Sequence, residues 1–61
     1  MNKIQKREIE KLKTMATLGM TSNVALGLSA LIRSAMTSKA KTELIEQADI
    51  LGVSKHPEFI V

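Results

Sequence analysis

Apolar positions along this chain recur with the period of an α-helix in three successive blocks. Over residues 3–18, advancing 100° per residue places Leu18, Ile4, Met15, Leu12, Ala16 and Ile9 within one half of a helix. Gln5, Glu8 and Lys11 intrude among them, and Lys3, Lys6, Arg7, Glu10, Lys13, Thr14 and Thr17 fill the opposite arc. Gly19 follows the last apolar position, where a left-handed residue commonly ends a helix. The first helix is therefore amphipathic with a mainly basic outer face.

The second block, over 22–36, starts after Thr21 or Ser22, either of which suits an N-cap. Val24, Ala25, Leu28, Leu31, Ile32, Ala35 and Met36 share a narrow arc. The other side carries a row of small residues, Asn23, Gly27, Ala30 and Ser34, beside Leu26, Ser29 and Arg33. A helix with one apolar and one smooth stripe can pack on both sides, so this one is expected to be central.

The third block, over 38–51, gathers Ala40, Leu44, Ile45, Ala48 and Leu51 on one face, with Lys39, Thr42, Glu43, Glu46, Asp49 and Ile50 opposite. Gly52 is its stop signal. No Pro or Gly separates the second and third blocks, yet the apolar stripe changes sides at Thr37–Ser38. Either the chain turns there, with Thr37 or Ser38 as cap, or one long helix packs different neighbours at its two ends. The turn is the favoured reading. The pattern thus predicts an all-α fold, a single domain of about three helices followed by an extended apolar tail.

The tail carries Pro57, which disfavours helix at His56, and closes on Phe59, Ile60 and Val61. Those three are expected to dock in a core or a partner groove, because exposure forfeits their burial energy.

Composition narrows how such a chain is stabilised. With 61 residues it can bury only about 60% of its unfolded surface. It has no cysteine for a disulfide, and His56 alone does not make a structural zinc site. Homo-oligomerisation, as a dimer, is the remaining device, and the smooth row suggests a contact around Leu26, Gly27, Ala30 and Ser34. The core must be aliphatic, since Phe59 is the single aromatic residue.

The longest nearly apolar stretch, Val24 to Ile32, is far short of the ~20 residues of a membrane span. The basic start lacks the apolar run of a signal peptide. A cytoplasmic protein that does not engage membranes is expected, with no cofactor and no metal.

Candidate chemistry is sparse. Ser54, His56 and Glu58 alternate as the members of a hydrolytic triad would on a strand, but neighbours on one strand project in parallel and have no oxyanion hole. No catalytic residue is assigned and the chain is not expected to be an enzyme. The run Ala48-Asp49-Ile50-Leu51-Gly52-Val53-Ser54 resembles the first helix and turn of a helix-turn-helix, yet Pro57 falls where the recognition helix should be running. Lys3, Lys6, Arg7 and Lys13 on the first helix could contact phosphates or an acidic surface. The net charge of +3 permits such a partner without requiring one, and no aromatic residue accompanies these cations to stack on bases.

The leading expectation is a small regulatory or adaptor protein that binds another protein through an apolar helix face and its tail, as phage- or plasmid-type accessory proteins do. The alternative is a small dimeric DNA-binding regulator using the basic first helix or a degenerate helix-turn-helix.

Overall fold

A computed structural model describes residues 3–60 of the chain. It contains three helices: α1 (Lys3–Thr17), α2 (Thr21–Ser34) and α3 (Ser38–Ile50). Among the described residues there is no strand. Both α1 and α3 pack on α2, and no Cα atom of α1 lies within 8 Å of one of α3. The second helix is therefore central.

Each boundary has a local cause. At the end of α1, Gly19 adopts φ +80°, the Met20 N–H donates to the Met15 carbonyl at 3.0 Å, and the Gly19 N–H donates to Ala16 at 3.1 Å. The same pair of bonds closes α3. There Gly52 has φ +77°, Val53 N–H donates to Ala48 at 2.9 Å and Gly52 N–H to Asp49 at 3.1 Å. Both ends are Schellman motifs, which satisfy carbonyls the helix itself leaves open. The second also drives Val53 fully into the core beside buried Ala48.

The start of α2 differs from expectation. Neither Thr21 nor Ser22 is the cap; Met20 occupies that position without a side-chain bond. The Schellman closure already uses the Met20 N–H, so the two helices abut and Thr21 is the first helical residue. At Thr37 the chain turns. Ala35 leaves the helix in an extended conformation, and the extended Thr37 accepts the Ala40 N–H on its hydroxyl at 3.1 Å. The change of stripe is thus resolved by two helices.

The core is Ile9 and Leu12 from α1, Val24, Ala25, Leu28 and Ile32 from α2, Ala35 beyond it, Leu44 and Ala48 from α3, and Val53. Met15, Ala16, Leu31, Ala40, Leu51 and Phe59 pack around them. The Cα radius of gyration, 10.3 Å, matches the ~10.5 Å of a closed globule of this length. Several residues expected inside lie outside: Ile4, Leu18, Ile45 and Met36 are exposed. Because α2 is the helix whose backbone comes close to α1, the covered arc is narrower than half of α1. Met36 lies past the end of α2, beyond the helical register that put it on the stripe.

Two features fix how α2 is covered. Gly27 belongs to the inside rather than to an outward row. A Cβ built on it would lie 2.7 Å from Leu12 Cδ2 and 3.2 Å from Leu12 Cδ1, so its missing side chain is the space that buried Leu12 fills. Ser29, also buried, holds the tail. Its hydroxyl donates to the Ala25 carbonyl at 2.8 Å and accepts the Ile60 N–H at 3.0 Å, with the Glu58 carbonyl at 3.4 Å. The tail is not extended. It makes two successive turns, closed by His56 N–H to Val53 at 3.0 Å and Phe59 N–H to His56 at 2.9 Å, with Pro57 where a turn favours its fixed φ.

These contacts generate two expectations. Gly27→Leu should destabilise the protein by about 1–3 kcal/mol through overpacking, while Ala30→Leu, on the exposed side of the same helix, should not. Equal melting temperatures for the two variants would show that Gly27 does not face α1. Ser29→Ala should cost about 1 kcal/mol and accelerate hydrogen exchange of the Ile60 amide; unchanged exchange there would mean that the hydroxyl does not anchor the tail.

Candidate interaction surface

The outward side of α2 lies between the flank that meets α1 and the flank that holds the tail. Gly27 is half-buried against Leu12, so it is withdrawn from the expected self-association face. Leu26 at 47% exposure, Ala30 and Ser34 remain outside, together with Asn23 and Arg33. The Ser34 hydroxyl bonds back to the Leu31 carbonyl at 3.1 Å, which leaves that part of the face smooth. What remains is a small aliphatic spot, Leu26 and Ala30 one turn apart, rimmed by polar groups.

Of the docking-tail residues, Phe59 is half-buried on the core. The Ile60 main chain is tied to Ser29 while its side chain is 62% exposed. Val61 lies outside the described residues. The tail thus occupies the flank of α2 from Ser22 to Ser29: His56 Nε2 is 3.5 Å from the Ser22 hydroxyl, and Ser29 meets Glu58 and Ile60.

The cations of α1 divide into two groups. Lys11 pairs with Glu8 at 3.5 Å and Lys13 with Glu10 at 3.4 Å, both exposed pairs of the weak helical kind. Glu10 does so in place of the Arg7 that stands three residues before it. Lys3, Lys6 and Arg7 are exposed and make no ion pair with another described residue.

The triad-like residues do not converge. Ser54 donates its hydroxyl to Asp49 Oδ1 at 3.4 Å, and His56 Nδ1 accepts the Glu58 backbone N–H at 3.0 Å. In the neutral ring that bond places the proton on Nε2, which therefore faces Ser22 as a donor and not as a base. A triad requires the reverse tautomer, with Nδ1–H held by a carboxylate. No helix follows Gly52 among the described residues, so the stretch that resembles a helix-turn-helix has a first helix and no second.

Among the described residues no three His, Asp or Glu side chains are grouped to hold a metal ion, and no helix is long and apolar enough to cross a membrane. Sequence reasoning missed Ser29. A signal for it existed, since a hydroxyl one turn after Ala25, at the edge of the apolar arc, must find a partner if that arc is covered. The chain matches no protein-family model, no curated protein and no solved structure.

Proposed function

We propose that this chain is a small, non-enzymatic regulatory or adaptor protein that works by docking on another protein. The observation that carries the reading is the contrast between a closed interior and the aliphatic side chains left outside it. Helices, joint and tail together bury Val24, Leu28, Leu44 and Val53 completely, yet Leu26 stands half-exposed on the central helix with Ala30 beside it. The monomer core gains nothing from Leu26 in that position. Covering a Leu on a partner contributes about 1.5–3 kcal/mol. The polar surround of Asn23, Arg33 and Ser34 supplies the rim that such a contact needs.

A second reading has its own support. Lys3, Lys6 and Arg7 lie within two turns at the start of α1 without ion-pair partners among the described residues, a start for phosphate contact by a small DNA-binding regulator. Among the described residues no helix follows Gly52, which leaves that reading with the basic helix alone.

Affinity capture from source cells, with the intact chain and with Leu26→Glu and Ala30→Glu as controls, separates the two. Both substitutions are at exposed positions and should leave the melting temperature unchanged. Each should weaken retention of a protein partner about tenfold or more, the loss expected when a buried aliphatic contact is replaced by a desolvated charge. Retention indifferent to both changes, or retardation of random duplex DNA that falls steeply with salt, would replace the protein-docking reading with the nucleic-acid one.

A further inference from the structure

Among the described residues the backbone is helical, turned or tied by hydrogen bonds everywhere except at the joint between α2 and α3. There Ala35 (φ −69°, ψ 135°) and Thr37 (φ −124°, ψ 153°) are both extended. Between them Met36 makes no hydrogen bond to another described residue. The Ala35 carbonyl and the Thr37 N–H are open as well. The Ala35 side chain is buried in the core, whereas Met36 stands 96% exposed. The other joints differ. Gly19 and Gly52 turn the chain in left-handed conformations, and Schellman bonds occupy the main-chain groups there.

An extended segment with open N–H and C=O groups and an exposed side chain is what an endoprotease binds. The enzyme adds the segment to its cleft as a strand, by main-chain hydrogen bonds, and takes one side chain into a pocket beside the scissile bond. At this joint the fold leaves those groups unused, and Met36 offers a large unbranched side chain. Ser34 and Ser38, the last residue of α2 and the first of α3, are both exposed, and helix ends open at little cost. We propose that the Met36–Thr37 peptide bond is a cleavage site, in the folded protein, for endoproteases whose pocket takes a large apolar residue. Water adds across the bond, so that Met36 gains a carboxylate and Thr37 an ammonium. Each new charge meets the unfavourable end of a helix dipole, the carboxylate just past α2 and the ammonium just before α3. The cut leaves α3 and the tail held to α2 by packing alone. Their retention then depends on concentration, and dilution separates the two pieces. The site is independent of Leu26 and Ala30, which stay together on the N-terminal piece.

Limited digestion of the intact chain by chymotrypsin, whose pocket is a hydrophobic slot, tests the site when the fragments are weighed by mass spectrometry. The first pieces should be residues 1–36 and 37–61, ahead of any cut beside Leu18 or Phe59. Met36→Asp should lose this cut while its circular dichroism stays that of the parent. Met36→Lys should open the same bond to trypsin before any of the nine natural Lys and Arg, which lie on the helices save for Lys55 in the tail turns. The cutting rate should stay flat in low urea, because the folded protein is the substrate. A cut that waits for global unfolding would instead accelerate with the slope of the equilibrium transition. The nicked protein should lose helicity on dilution where the intact chain does not. First cuts elsewhere, in the parent or in Met36→Lys with trypsin, overturn the proposal. So does a rate that follows global unfolding, or a nicked protein indifferent to dilution.

Discussion

The constraint that organises this molecule is that α2 must bury two flanks at once. Its neighbours α1 and α3 both lean on it, and their backbones do not come close to each other. A helix covered on two sides needs a wide apolar arc, and α2 has one running from Leu31 through Val24, Ala35, Leu28 and Ile32 to Ala25. At one margin of that arc Gly27 lets Leu12 of α1 come close. At the other margin Ser29 carries a hydroxyl into the interior, where it would be costly alone and is instead the anchor of the tail. Width, close approach and anchoring are thus properties of one helix.

The joints translate that constraint into a chain path. Two Schellman motifs stop α1 and α3 and redirect the backbone within a residue or two. After α3 the motif places Val53 in the core, and the two turns that follow carry Phe59 back over α2. In a chain without disulfides, a tail held in this way adds apolar cover that three short helices do not provide.

How much of this was legible in the sequence follows from the range of each signal. Gly19, Gly52 and Thr37 act through the few residues around them, and the ends they imply are the ends observed. The start of α2 was misplaced because the closure of α1 uses the residue that would have stood before the cap. Wheel positions gave the buried arcs but not their widths. Ile4 and Leu18 belong angularly with Leu12, yet only a second neighbour would cover them. Gly27 was assigned to an outward row for the same reason, since a wheel shows that a residue is small without showing which helix fills the gap. Ser29 and the folded tail depend on contacts 29 and 31 residues apart, and no local pattern encodes those. The surface followed the same rule. Leu26 and Ala30 were legible as an exposed face, whereas Ile4 and Leu18 were not, because their exposure depends on how much of α1 its neighbour covers.

A docking role for the exposed residues requires that the interior be complete without them, with α2 as its keystone. Native-state hydrogen exchange tests that most directly. The amides of α2 around Leu28 and Ile32 should exchange only through global unfolding, with the same denaturant sensitivity as the equilibrium transition. The outer turns of α1 and α3 should open at lower free energy. Amides of α1 or α3 that outlast those of α2, or α2 amides that exchange through local opening, would contradict a core built around the central helix.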